Sequence, residues 1–426
     1  MNVLIVGGGG REHALALRLR ENKEIDTIYA LPGNGGIAGI AECVPIGAKE
    51  IDRIVEFARA HNVGFAVVAQ DDPLVLGAVD ALHAAGIPCF GPDKKAAIIE
   101  GSKAFSKRLM HKYGIPTASC ALFTDEAEAV AYLKKASYPI VVKADGPALG
   151  KGVIIAGDFE EAMQAVRAML SEKRFGSSGD TVVIEEYLTG PEVSVLALTD
   201  GHSIAPLVSC MDHKRVFDGD IGPNTGGMGA IAPNPYYTER IAKECMERIY
   251  LPTVRAMREE GRVFKGCLYF GLMLTKKGPM VIEYNCRFGD PETQAVLPLL
   301  KTDLFTLLNA VEEERLSEVA VELHPGASCC VVAASGGYPG SYEKGLPISI
   351  GEGALAGDII VYHAGTALRE GGLVTAGGRV LGITATAKTL EKAVARAYEA
   401  VDAVRFEGMQ YRRDIGKRAL MAPGGS

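Results

Sequence analysis

No apolar run in this 426-residue sequence approaches the ~18 residues of a membrane span. Nor does a basic stretch precede an apolar core at the start, because a strand-like Val-Leu-Ile-Val already occupies 3–6, so neither secretion nor membrane insertion is expected. The nine cysteines (Cys43, Cys89, Cys120, Cys210, Cys245, Cys267, Cys286, Cys329 and Cys330) are odd in number and scattered, with no C-x-x-C pair to open a zinc site. They read as reduced thiols of a cytoplasmic protein. Positive charge is short as well. Lysine and arginine total 45 against 52 acidic residues, a formal charge of -7, so no global cationic field exists to hold a nucleic-acid backbone or an anionic membrane. Only a local anion site remains open. Internal repeats and low-complexity tracts are absent too.

What remains is ordinary globular composition, 48% hydrophobic and 23% charged, which argues against bulk disorder. The 51 glycines exceed the usual share and must concentrate in loops. At about 150 residues per domain the length predicts about three domains. The first hundred residues alternate apolar runs at 3–6, 27–31, 65–69 and 87–90 with helical spacing over 11–21, 51–61 and 74–85, the pattern of a parallel α/β domain. Gly91-Pro92-Asp93 closes it, and a helix is predicted over 102–113. Strands at 140–144, 153–156 and 181–184 suit a small inserted subdomain. A polar, glycine-laden loop at 211–229, a helix over 238–260 and a hairpin of strands 267–275 and 280–285 follow. Beyond His324-Pro325-Gly326 the chain turns β-branched and glycine-rich, with one helix over 390–404. The expected layout is an N-terminal parallel α/β domain at 1–102, a central domain at 103–318 with its subdomain at 118–190, and a C-terminal mixed α/β domain at 325–426.

Four segments carry chemistry. Gly7-Gly8-Gly9-Gly10 turns from a strand into a helix, but Glu12 stands at the third glycine position of G-x-G-x-x-G, and the second strand ends Ala30-Leu31-Pro32-Gly33 with no acid for an NAD ribose. Binding of a lone phosphate at the helix N-terminus, or tight packing, are the readings left ahead of NAD. The glycines and lysines of 143–152 suit a flap over a triphosphate, although the spacing is not that of a Walker A loop and a solvated turn would look similar. A strand at 181–184 runs into Glu185-Glu186-Tyr187-Leu188 and then Glu192, where a hinge backbone can read adenine and a carboxylate the ribose hydroxyls. Lastly, Glu283, Asn285 and Arg287 alternate along a strand and share a face, which suits a divalent cation bridging phosphates beside a charge clamp, or else a structural salt-bridge strip. The loop segments Asp212-His213-Lys214-Arg215 and Asn224-Thr225-Gly226-Gly227 are too polar for a core.

In order, these motifs resemble the ATP-grasp superfamily and, much more closely, the glycinamide ribonucleotide synthetase family. The resemblance covers essentially the whole chain: GGGGREHA at 7–14, FGP at 90–92, EGSKAF at 100–105, KADG and GKGV within 143–153, DHKRV at 212–216, GPNTGGMGA at 222–230, EYNCRFGDPETQ at 283–294 and HAGT at 363–366. It implies a multidomain α/β and α+β fold: a pre-ATP-grasp domain, an ATP-grasp domain whose inserted 118–190 subdomain acts as a lid, and a C-terminal domain. It implies ATP-dependent joining of glycine to 5-phosphoribosylamine through glycyl phosphate in purine synthesis. Small molecules would be the only partners, and a monomer is expected. By motif position, Lys103 and Lys143 would hold ATP phosphates, Glu185, Glu186, Tyr187 and Leu188 the adenine, and Glu192 the ribose. Glu283 and Asn285 would hold Mg²⁺ or Mn²⁺, and Arg287 would steady the acyl phosphate. Gly9, Arg11, Asp71 and Asp290 would bind phosphoribosylamine, and Asp212, Lys214, Asn224, Thr225 and Gly227 also fall at substrate-binding positions.

Two departures stand out. The family often carries a Glu where this chain has Asp71 within Gln70-Asp71-Asp72, and Tyr269, Gly271 and Met273 occupy the penultimate strand where many ATP-grasp enzymes place a metal-binding acid. Another ATP-grasp carboxylate-amine ligase or a carboxylase is the rival class. It would lack the GPNTGGMGA block.

Overall fold

The computed structural model describes residues 1–146 and 152–422. Val3, Leu4, Ile5 and Val6 are fully buried, as in a parallel strand covered on both faces. Their strand, Asn2–Gly7, lies at the centre of a five-stranded parallel sheet. On one side it pairs with Thr27–Pro32, which pairs with Glu42–Cys43. On the other it pairs with Val63–Val68, which pairs with Cys89–Phe90. The order reverses at the central strand, so its carboxyl end is a topological switch point, and the four-glycine turn sits there.

Helices Gly10–Leu19 and Ile51–Ala60 follow the expected spacing. The third does not. The single helix expected over 74–85 is two, Asp71–Leu76 and Ala78–Ala84, because Gly77 between them is left-handed at φ +95°. Asp71 therefore stands in the first turn of a helix at the switch-point crevice rather than in a loop.

The inserted subdomain is a four-stranded sheet, ordered Cys120–Phe123, Val182–Glu186, Ile140–Ala144, Val153–Ala156, under helices Glu126–Leu133 and Phe159–Leu170. Its apolar side chains form a cluster of their own. Facing it, Glu192–Thr199 and the hairpin Gly266–Thr275 with Gly278–Asn285 build an antiparallel sheet, with Ile204–Pro206 at its edge. The hairpin turn is tighter than expected: Thr275 pairs with Gly278, leaving Lys276 and Lys277 between them. One irregularity matters more. Gly271 pairs with Glu283 and Leu272 with Val281, so Ile282 is bulged out of the ladder.

The 211–229 stretch, expected to be a loop, contains strands. Met211–Asp212 and Gly229–Ala232 join Ala327–Ala334, Arg379–Ala387 and Ile359–His363 in one sheet, which thus crosses the 318–325 divide. Arg215–Phe217 and Ile221–Asn224 form a separate hairpin. Polar composition hid these strands, and the sheet that Gly229–Ala232 enters is built from a strand about a hundred residues downstream. Helix Leu390–Val401 packs on the shared sheet.

Three histidines tie this sheet to its surroundings. His13 Nδ1 accepts from His363 N at 2.8 Å, and His213 Nε2 accepts from Gly416 N at 3.2 Å, so both rings serve as acceptors and must be neutral. Burial depresses His13 to about 3, with His363 adding to it, and His213 and His363 to about 4. The unfolded rings titrate near their ordinary value, so their contribution to stability is whole above about pH 6.5 and is lost as pH falls toward the folded values. Asp212, raised by burial and by Glu292, and His83, raised by its hydrogen bond to Glu312, oppose them with two groups against three. The guanidinium midpoint of unfolding should therefore be lower at pH 5.5 than at pH 7.5; an equal or higher midpoint would contradict neutral histidines at these contacts.

Candidate active site

One cavity of about 1080 Å³ lies between the inserted subdomain, the antiparallel sheet and the switch-point crevice. All the residues singled out from the sequence line it except Gly9 and Gly227. Those two sit just behind the wall. A Cβ on Gly9 would lie 3.3 Å from Asp290 Oδ2, and one on Gly227, itself left-handed at φ +112°, would lie 2.7 Å from Asp212 Oδ1.

At the inserted-subdomain side, helix Lys103–Tyr113 begins on Ser102, whose hydroxyl caps Phe105 N and donates to Asp145 Oδ1 at 2.8 Å. Lys103 N donates to Asp145 O, and Lys103 Nζ to Gly146 O at 3.1 Å. The helix start therefore grips the root of the KADG segment; the flap expected beyond it falls partly on 147–151, outside the described residues. Lys143 Nζ lies 3.0 Å from Glu185 Oε1 and donates to the carbonyl of bulged Ile282 at 3.3 Å. Lys107 Nζ lies 3.0 Å from Glu185 Oε2. Glu185 is thus turned inward between two buried lysines, while Glu186 reaches back to Ser119 N and Tyr187 stands 42% exposed at the hinge.

Along the antiparallel sheet, Glu192 pairs with Lys214 at 3.2 Å, and Lys214 comes within 3.9 Å of Glu283. Thr225 holds Lys214 through both its N and its Oγ1, which donate to Lys214 O, and Thr225 Oγ1 accepts from Gly227 N. Asn224 pairs with Arg215 at the root of the hairpin. Burial would raise the Glu283 carboxyl, but Lys214, Lys143, Lys103 and Arg287 outweigh it and hold it below the usual range. Across the ladder a Cβ on Gly271 would come 3.2 Å from Glu283 Cγ, so the missing acid on that strand leaves room for Glu283 itself. Asn285 Oδ1 accepts from Arg287 Nη2 at 3.5 Å. One carboxylate and one carboxamide oxygen on one face are hard donors that suit Mg²⁺ or Mn²⁺. Among the described residues no cluster of three or more His, Cys, Asp and Glu offers a fuller shell, so other oxygens must complete it.

At the switch point, Arg11 donates from Nε to Glu12 Oε1 at 2.6 Å and from Nη1 to Phe288 O at 3.0 Å. The N–H groups of Gly9 and Arg11 already meet Glu12 Oε2 and Asp290 Oδ2. The glycine turn is also crowded, since a Cβ on Gly8 would lie 2.2 Å from Gly33 O. The turn is thus closely packed, and these two N–H groups are already paired with carboxylates. Burial would raise Asp71 and Asp290, yet Arg287 and Arg11 hold the first below its ordinary value, and Arg379 and Arg11 the second.

Sequence reasoning passed over several lining groups: Glu100, Lys107, Glu292 and Arg379. Arg379 donates to Gly226 O and Asp290 O at 2.6 Å, stitching the 222–230 block to the strand end. Glu100 and Glu292 lay inside quoted motifs; Lys107 and Arg379 carried no local signal.

A lid-like sheet and a second antiparallel sheet enclosing one cavity, with lysines from the first and oxygen donors on the last strand of the second, define the ATP-grasp class. The biotin carboxylase domain of Hydrogenobacter thermophilus 2-oxoglutarate carboxylase shares this fold at 18% identity, with a TM-score of 0.76 over 96% of this chain and 91% of that one. Models of the phosphoribosylglycinamide synthetase N, ATP-grasp (A) and C domains match residues 1–100, 101–293 and 328–418, and the chain belongs to that family. The phosphoribosylamine–glycine ligase of Caldanaerobacter subterraneus subsp. tengcongensis is 48% identical over 415 residues, 97% of this chain and 99% of that protein. The enzyme of the same name from Rhizobium meliloti is 49% identical over 420 residues, 99% of each chain. A crystal structure of phosphoribosylamine–glycine ligase from Thermotoga maritima superposes with a TM-score of 0.83 at 34% identity, covering 97% of this chain and all of that one.

Replacing Lys143 by Met keeps the stem that packs beneath the cavity and removes the charge. Affinity for a non-hydrolysable ATP analogue, measured by calorimetric titration, should fall by about tenfold or more, the worth of one charge-assisted hydrogen bond. Unchanged affinity would take Lys143 out of the nucleotide site.

Proposed function

We propose that this chain joins glycine to 5-phosphoribosylamine at the expense of ATP, giving glycinamide ribonucleotide, ADP and phosphate by way of glycyl phosphate, a step of purine biosynthesis. The observation that carries the reading is the single cavity that sets Lys103, Lys143, Glu283, Asn285 and Arg287 against Arg11, Asp71 and Asp290. Relatives named for this reaction match nearly the whole length.

In this reading Lys103 and Lys143 hold ATP phosphates, the 185–188 hinge reads the adenine, and Glu192 takes the ribose. Gly9, Arg11, Asp71 and Asp290 bind phosphoribosylamine, with Asp212, Lys214, Asn224, Thr225 and Gly227 completing the substrate wall. Mg²⁺ or Mn²⁺ between Glu283 and Asn285 would supply charge neutralisation to phosphate oxygens. A glycine carboxylate oxygen attacks the γ-phosphorus as its bond to the ADP oxygen breaks, and Arg287 meets the charge on the moving phosphoryl group. The phosphoribosylamine nitrogen then attacks the glycyl carbonyl carbon, and phosphate leaves with the electron pair of the carbon–oxygen bond. The amine proton is released in this second step. Glycyl phosphate hydrolyses in water, so the 118–190 subdomain, with its own core, is assigned the part of a lid over the 103–318 domain. The 1–102 and 325–426 domains close the remaining sides. A monomer suffices, since every group named comes from one chain, and nine free cysteines suit the cytoplasm.

A coupled assay with freshly made phosphoribosylamine tests the reading: ADP should appear only when glycine and the amine are both present. Release that needs bicarbonate instead of glycine would favour a carboxylase. In the same assay Glu283→Gln, which keeps shape and loses charge, should lower turnover by roughly 10²-fold or more while the thermal melt stays near wild type. Near-normal turnover and metal dependence would return Glu283 to a structural salt-bridge strip.

A further inference from the structure

Glu100 is the penultimate residue of the helix Lys94–Gly101, three positions before Lys103, which opens the next helix. Its side chain is 10% exposed, and its two oxygens are divided between two partners. Oε2 accepts from Cys286 N at 2.7 Å, and Oε1 lies 3.2 Å from Arg287 Nη2. A carboxylate fixed at both oxygens has little rotational freedom left.

The donors of Arg287 show what that fixation achieves. A guanidinium has five N–H bonds in a rigid fork. Nη2 faces Glu100 and Asn285 Oδ1, and Nη1 donates to Phe288 O at 3.3 Å. Nε is buried without a hydrogen-bond partner. A buried N–H donor left without a partner is costly, so the half-buried guanidinium that lines the cavity retains unused donor capacity. The charges of Asp71 and Glu292 also act on this guanidinium, and either would compete for it if Glu100 were absent.

We infer that Glu100 is a positioning residue for Arg287: it holds the Nη2 side and the adjoining main chain so that the guanidinium stays aimed at the cavity, where a substrate oxyanion can meet it. This rests on the reading of Arg287 as the group that meets the transferring phosphoryl. Glu100 touches no substrate in this arrangement. It decides which way the charge points, and through Cys286 N it also fixes the strand end that presents Asn285.

A double-mutant cycle on the full chain tests it, using Glu100→Gln, Arg287→Lys and the pair in the glycine- and phosphoribosylamine-dependent ADP-release assay. Each protein is also melted and titrated with a non-hydrolysable ATP analogue. Gln keeps an acceptor for Cys286 N but removes the charge beside the guanidinium. The melt and nucleotide affinity should stay near wild type, and kcat should fall about tenfold or more with the KM for ATP unchanged. In the Arg287→Lys background the same change should cost less than about threefold, because the fork it orients is gone. Should Glu100→Gln melt early, Glu100→Asp, which keeps the charge and shortens the reach, carries the same cycle. An unchanged kcat, or an equal fall in both backgrounds, overturns the positioning role. A wild-type chain with no glycine-dependent turnover would overturn the ligase reading instead.

Discussion

Where the ladder of strand Gly278–Asn285 stops, the N–H of Cys286 must find a partner outside the sheet, and Glu100 provides one at 2.7 Å. That bond joins the helical connection leaving the first unit to the strand carrying Glu283 and Asn285. The next residues along the chain, Arg287, Phe288 and Asp290, then reach the switch-point crevice, where Phe288 O accepts from Arg11 and Asp290 Oδ2 from Arg11 N. A single strand end thus sets the distance between the nucleotide half of the cavity and the half beside the first sheet.

The charges around it are arranged so that none is buried alone. Glu185 lies between Lys107 and Lys143, Lys214 between Glu192 and Glu283, and Asp290 beside Arg379. Isolated, the deeply buried Glu185 would lose more in desolvation than the fold could return, and truncating it would strand its two lysines. Yet not every polar atom here is saturated. Glu185 Oε1 and Arg287 Nε lack a hydrogen bond of good geometry, so the site is held together by attraction while keeping donor and acceptor capacity in reserve. The Ile282 bulge belongs to the same design, because it turns a carbonyl out of the ladder toward Lys143.

The sheet containing Met211–Asp212 and Gly229–Ala232 gives the third unit a share in the site. It carries Asp212 into the cavity wall, and Arg379 from its neighbouring strands grips Gly226 and Asp290. Asn34 does the corresponding work at the first sheet, donating to Gly8 O at 3.0 Å and His363 O at 2.7 Å. The three units are therefore fastened to one another around the same crevice.

Local pattern settled much of this in advance. Apolar runs of four or five residues, glycine turns and helical spacing depend on near neighbours, so the parallel first sheet, the helix over 102–113, the hairpin and the shared face of Glu283 and Asn285 were all legible in the sequence. The site residues were legible as motifs. What they pair with was not. Only the tertiary structure decided how closely the four glycines are packed, that Gly77 splits a helix and places Asp71 in a first turn, and that 211–229 contributes strands to a distant sheet. Only it could bring Lys107 to Glu185 or Glu100 to Arg287, since those contacts join residues 78 and 187 positions apart, and no periodicity reaches so far.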